Sequence, residues 1–243
     1  MTSKLTFRDF GIRDTASYDR FLDSAFLQLK IHSIQDLIID VRGHAGGGDP
    51  YGIEIVKYIY GKPFKAYSKA YNKKSKVSEE FYLLFLYPED RDNPMMRKTV
   101  SWNGSCAAEH NYGDYYDCGV ETNYPKPESI RFKGRVFVLS DFKVTSAGAV
   151  FVGLVKDYGI GKIIGTETDQ SPSNDGQGCY FLLPHSNVMA MGATMYSIRP
   201  NGDSSTTRGV IPDYEVIQTK ADTEKGADTV MDFTMNLIRN KRN

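Results

Sequence analysis

The sequence predicts an α/β layered fold interrupted by a long insertion. Two short β-branched runs carry that reading, each followed by a loop and then a helical pattern. A stretch of different texture lies between them. With 40% hydrophobic residues over 243, the chain is too apolar to be disordered, and a chain of this length buries roughly 70% of its unfolded surface.

Between Ala16 and Leu29 the apolar residues Tyr18, Phe21, Leu22, Ala25, Phe26 and Leu29 fall at helical spacing, with Asp14 or Thr15 as cap. Asp36-Leu-Ile-Ile-Asp-Val41 reads as a buried strand that breaks into Arg42-Gly-His-Ala-Gly-Gly-Gly48. A helix is predicted from Pro50 to about Tyr60, with proline in its first turn. Residues 61–133 form the expected insertion. It holds six lysines between Lys62 and Lys76, read as solvated surface, the aromatic-aliphatic run Phe81 to Tyr87, and a Gly/Tyr/Asp-rich stretch with Cys106, His110 and Cys118. The expected division is therefore 1–60, 61–133 and 134–243. In the last part Arg135 to Ser140 is a strand, Ala147 to Tyr158 a helix and Lys162 to Gly165 a strand. Thr166 to Gly178 is a polar loop. Cys179 to Leu183 and Asn187 to Met195 are a strand pair, and a final helix lies near Ala227 to Arg239.

Thirty basic residues balance thirty acidic ones, which argues against a nucleic-acid or anionic-lipid surface. No apolar run approaches the ~20 residues of a membrane span. The N-terminus has no signal-peptide core, which leaves either a cytosolic chain or an exported one lacking its signal. Three cysteines cannot all pair, so a disulfide framework is excluded. A single Cys106–Cys118 bridge is expected if the protein is exported, and free thiols if it is cytosolic. The spacing of Cys106, His110 and Cys118 fits no strong zinc signature, and no metal or cofactor motif is read.

Two loops follow buried strands and bear on chemistry. In the first, Gly46, Gly47 and Gly48 let backbone N–H groups approach a ligand; taken alone, the loop reads first as a plain flexible strand-to-helix turn. The second, Val144-Thr-Ser-Ala-Gly148, opens a helix. Ser146 there is either an ordinary N-cap or a nucleophile, with the Ala147 N–H stabilising an oxyanion.

Taken together, the segments resemble peptidase family S41, the tail-specific or C-terminal-processing serine peptidases with a tricorn-like branch. Leu37-Ile-Ile-Asp-Val-Arg-Gly-His-Ala-Gly-Gly47 resembles the family's LIIDLRGNGGG strand and loop. Arg135 to Ser140, Thr145 to Gly148, Val155 to Gly159, Ile163 to Thr168 and Gly209-Val-Ile-Pro-Asp213 resemble its later segments, in the same order. The resemblance implies a ClpP/crotonase-like α/β spiral core. It also implies a serine peptidase with Ser146 as nucleophile, Gly46, Gly47 and Ala147 as oxyanion hole, and a peptide or protein substrate lying as an added strand. The implied compartment is the periplasm or cell envelope, with the export signal absent from this chain; a cytosolic placement stays open.

The departures from the family are specific. Ser171 stands where one branch has a lysine base, and Thr206 where the other has a glutamate. No histidine precedes His32, which falls too late in the chain to match the tricorn-like base. His44 and Ala45 replace the family's Asn and first Gly. The start of the chain, Lys4 to Phe10, resembles the strand entering the catalytic core, which makes a trimmed upstream half, or an unusually short protein, the expectation. Lys143 and His44 are the substitute bases available near the two loops, with a solvated loop lysine and a loop-supporting histidine as the alternatives. His185 is expected exposed. A non-proteolytic peptide-binding protein on the same fold is the second reading, and a crotonase-type acyl-CoA enzyme the third.

Overall fold

A computed structural model describes residues 1–83 and 104–240. They divide into two units. The first comprises 1–66, 121–172 and 199–240, the second 67–83, 104–120 and 173–198.

The first unit is built on a five-stranded parallel sheet. Its strands are β1 (Thr2–Thr6), β2 (Asp36–Asp40), β7 (Arg135–Ser140), β8 (Lys162–Gly165) and β11 (Tyr214–Glu215), in the order β1-β2-β7-β8-β11. Pairing is in register from Asp36↔Arg135 to Asp40↔Leu139 and from Phe137↔Lys162 to Ser140↔Gly165. Side chains alternate faces along a strand. Ile38, Phe137, Leu139 and Ile164 therefore meet Val230 and Ile238 of helix α7 (Thr229–Asn240). Leu37, Ile39, Val136, Val138 and Ile163, one residue out of step, are buried as well. Both faces are covered, as a parallel sheet requires.

Helix α1 (Thr15–Ile31) buries Tyr18, Leu22, Phe26 and Leu29, and Asp14 caps it by accepting the Ser17 N–H at 3.0 Å. Phe26 stacks on Tyr58 of α2 (Asp49–Ile59), ring centroids 4.4 Å apart. Proline stands in the first turn of α2. Helix α5 (Ala147–Asp157) is buried from Ala147 to Val155. It ends at Gly159, whose φ of +61° suits the left-handed terminating position. A bidentate pair, Arg199 to Asp157 at 3.0 and 2.6 Å, ties the end of α5 to the Pro200 turn. A short helix, α6 (Lys220–Glu224), precedes α7 and was not read from the sequence.

The second unit is an antiparallel sheet, order β5-β4-β10-β9, of β4 (Lys69–Lys73), β5 (Tyr115–Asp117), β9 (Asn174–Leu182) and β10 (Met189–Ile198). Helices α3 (Lys76–Leu83) and α4 (Gly104–Ala108) accompany it. Cys106 and Cys118 are disulfide-bonded and Cys179 is a buried free thiol. His110 stacks on Tyr116 at 4.5 Å, and His185 is exposed at the β9–β10 turn.

These units differ from the expected 1–60, 61–133 and 134–243 split. Residues 61–66 and 121–133 belong with the parallel sheet. There β3 (Phe64–Lys65) pairs β6 (Thr122–Asn123), and Lys126 bonds Glu54 at 2.6 Å. The hairpin 173–198 belongs with the second unit because β10 pairs β4, Met195 opposite Asn72. That partner is more than a hundred residues away and leaves no local pattern in the sequence. The polar loop expected to Gly178 is shorter, since β9 begins at Asn174. The lysines are not all solvated either: half-buried Lys74 donates to the carbonyls of Ala107 and His110 at 2.8 Å each. Most of the run Phe81 to Tyr87 lies outside the described residues.

Candidate active site

The site is assembled where two neighbouring parallel strands end. After β2 the chain turns through Arg42 to Gly48; after β7 it turns through Asp141 to Ser146. One carboxylate ties the turns together, because Asp141 Oδ1 accepts the Gly43 N–H at 2.9 Å and the Lys143 N–H at 3.0 Å. A second tie is backbone to backbone, from the Thr145 N–H to the His44 carbonyl at 3.1 Å. At the base of the first turn, Arg42 forks onto Asp40 and reaches Asp228 at 2.7 and 2.8 Å. Asp40 is fully buried. Burial alone would raise its carboxyl, but the Arg42 hydrogen bonds and charge outweigh that and hold it below the ordinary carboxylate range.

The first turn is fixed from outside by residues 8–10. Phe10 N–H donates to Gly46 O at 2.7 Å, Gly48 N–H to Phe10 O at 2.9 Å, and Ala45 N–H to Arg8 O at 2.9 Å. Between these bonds Gly47 holds φ +125°, and a Cβ there would lie 2.2 Å from the Phe10 carbonyl carbon. No other residue fits. Gly46 holds φ +94° and lies against the serine: a Cβ on it would stand 2.8 Å from Ser146 Cβ and 3.3 Å from Oγ.

Ser146 is exposed and has φ +50°, ψ −127°. That conformation is sparsely populated for a residue with a side chain, and it is stored where surrounding contacts over-determine it. Its hydroxyl makes no capping bond to α5, so the N-cap alternative is not what the geometry displays. Instead the Ser146 N–H donates to Gln170 Oε1 at 2.6 Å and the Ser146 carbonyl accepts from Val150 at 3.0 Å. Gln170 was not singled out from the sequence. It lies 24 residues on in a loop, and nothing in its surroundings distinguishes it from any solvated glutamine.

Among the sequence candidates, Ser146, Gly46, Gly47, Ala147 and His44 come together. The N–H of Gly46 is taken up by His44 Nδ1 at 3.0 Å. The N–H groups of Gly47 and Ala147 carry no hydrogen bond among the described residues. His44 is fully buried, its ring 4.3 Å from Phe10 and tight against Gly148. Burial, helped by the Arg8 charge and opposed by Asp9, holds its pKa below the ordinary histidine value. Lys143 is exposed, its ammonium 5.7 Å from the Phe142 ring centre. Ser171 and Thr206, the two positions of departure, adjoin each other, Ser171 Oγ donating to Thr206 O at 3.3 Å. Glu167, an acid of the same loop, is held by Arg208 and by the Gly209 N–H at 2.9 Å. No cluster of three or more His, Cys, Asp or Glu among the described residues could hold a metal ion.

The parallel sheet thus carries, at neighbouring strand ends, a glycine turn and a serine at φ +50° before a helix. The family model of peptidase family S41 matches residues 5–216. The chain belongs to that family. Solved structures share the fold at low identity. A candidate peptidase from Parabacteroides merdae has a TM-score of 0.66 at 19% identity, covering 97% of this chain and 60% of its own. Mature CPAF has 0.64 at 14%, covering 91% and 47%. The photosystem II D1 C-terminal processing protease has 0.53 at 16%, covering 88% and 42%. This chain thus spans roughly half the length of the structures it matches. No curated protein matches it. No helix among the described residues is long and apolar enough to cross a membrane.

Proposed function

We propose that this chain forms the core of a serine endopeptidase in which Ser146 Oγ attacks the scissile carbonyl and is acylated. The N–H groups of Gly47 and Ala147 receive the oxyanion. The observation that carries the reading is the Ser146 backbone: a non-glycine residue at φ +50° with its hydroxyl withheld from capping and Gly46 beneath it. Because the Gly46 N–H is occupied by His44, Gly47 is the donor of the first turn and Gly46 the spacer that admits the serine. The reading requires a proton acceptor on Ser146 Oγ that the described residues do not place there. Lys143 is exposed, and His44 turns its Nδ1 to the backbone. The substrate is a peptide or protein in extended form, held through its main chain. The Cys106–Cys118 bridge supports an exported protein, since such bonds persist in oxidising compartments.

The test is labelling of the full-length protein by a fluorophosphonate. A Ser146 adduct, lost in Ser146→Ala, is expected; an unlabelled full-length protein would refute activity. A second reading, a peptide-binding protein without turnover, is favoured by one observation: Ser171 stands at one branch's lysine-base position, Thr206 at the other branch's glutamate position, and Ser171 Oγ donates to the Thr206 carbonyl. It predicts peptide affinity unchanged in Ser146→Ala and no cleavage by the parent.

A further inference from the structure

His44 is the one fully buried histidine, and the proposed chemistry leaves it without a role. Its Nδ1 accepts the Gly46 N–H at 3.0 Å, so the ring nitrogen there carries no proton and the neutral ring is protonated on Nε2. Nε2 is itself buried with no hydrogen-bond partner among the described residues. The alternative tautomer would set two N–H groups against each other at Gly46 and still leave Nε2 unpaired. The same residue's carbonyl holds the Thr145 N–H, and its ring fills the space over Gly148 at the start of α5. His44 therefore joins the glycine turn to the serine turn through both its backbone and its side chain.

We propose that His44 is a positioning residue whose neutral ring holds the Gly46–Gly47 turn in its donor conformation, so that proton uptake by His44 releases the turn and switches the site off in acid. This rests on the reading of Ser146 as nucleophile and Gly47 as donor, and adds a regulation of that site. A proton on Nδ1 would face the Gly46 N–H, two donors with no acceptor between them, and the turn must rotate to relieve the contact. Rotation moves the Gly47 N–H, the next peptide along. The charged groups acting on the ring are Asp9, which favours the proton, and Arg8, which opposes it. On the helix side Val144 and Gly148 carry no charge, and the N-terminus of α5 adds a partial positive charge that also opposes protonation. Neutral His44 is thus the resting form at neutral pH, and the switch lies in acid, below the ordinary histidine value of 6.5.

Two substitutions separate positioning from space-filling. Asn Oδ1 stands two bonds from Cβ, as His Nδ1 does, and can accept the Gly46 N–H without titrating. Gln Oε1 is one bond too far, although Gln is closer to His in volume. At pH 8, His44→Asn is expected to label with fluorophosphonate within a few-fold of the parent, and His44→Gln about 100-fold more slowly, the usual loss for one oxyanion donor. A purely space-filling role predicts the reverse order.

The second measurement needs no activity. In the full chain labelled with 15N-glycine and 15N-histidine, the Gly46 amide should shift together with the His44 ring nitrogens as pH falls below 6.5. The Gly46 amide should stay flat in His44→Asn. A protonated Nδ1 at neutral pH, a Gly46 amide indifferent to His44 titration, or Gln outperforming Asn would overturn the proposal. If no variant labels but Gly46 still follows His44, the coupling stands and the nucleophile reading fails instead.

Discussion

The two strand-to-helix turns of the site solve the same geometrical problem with opposite chemistry. Each leaves a buried parallel strand and enters a helix, and each passes through backbone angles that side chains avoid. The first uses glycine, at Gly43, Gly46 and Gly47, so the unusual angles cost little and expose N–H groups. The second places a serine at φ +50°, where glycine would be easier, and surrounding bonds hold it there. The difference is what the proposed role of Ser146 requires, a side chain held where the strain puts it.

The contrast can be broken most severely at Gly47. Gly47→Ala drives a Cβ into the Phe10 backbone at φ +125°, and overpacking plus strain should destabilise by about 3–5 kcal/mol. A fall in melting temperature of roughly 10 °C is the expected reading for a chain this size. Gly43→Ala, at φ +71° with nothing within 4 Å, should cost about 1 kcal/mol. Equal losses at the two positions would mean that the turn is not built around Phe10.

Next in size is Arg42→Ala, which leaves Asp40 buried with only the backbone N–H of residue 42 at 3.2 Å and the Arg8 contact at 3.4 Å. Removing one partner of a buried pair costs about 3 kcal/mol or more. Asp40 has a lowered folded pKa, so its contribution is present above its ordinary value of 3.8 and is lost as pH falls through the folded value. Urea unfolding should therefore show a large difference between the parent and Arg42→Ala at pH 7 that narrows below pH 3.8. A difference independent of pH would contradict the ion-pair account.

Ser146→Gly sharpens the comparison from the other side. Removing the side chain from a positive-φ position should raise stability by about 1 kcal/mol while abolishing labelling. A loss of stability would show the angle to be unstrained. The smallest effect belongs to Lys143→Ala, which should leave the labelling rate within about twofold, as exposed substitutions usually do. A large loss would make the lysine the missing base.

Much of the parallel unit was legible because its signals are local. The periodicity of α1, the β-branched runs of β2, β7 and β8, Pro50 in α2 and Gly159 after α5 each act within a few residues. The second unit was legible only in its β9–β10 strand pair, because β10 finds β4 across the chain and a strand's partner is not encoded in its own alternation. The site was legible as a pair of loops but not as a mechanism. A serine before a helix reads the same whether it caps or attacks, and the structure adds that the Ser146 hydroxyl makes no capping bond. Gly46 looked equivalent to Gly47 until the position of His44 distinguished them.

The most direct test of the central claim is to trap the acyl group. The full-length protein would be mixed with an activated peptide ester, quenched in acid and mapped by mass spectrometry. One acyl group per chain on the peptide containing Ser146, absent in Ser146→Gly, is the expected result. An unmodified chain, or acylation on another residue that persists in Ser146→Gly, would contradict it.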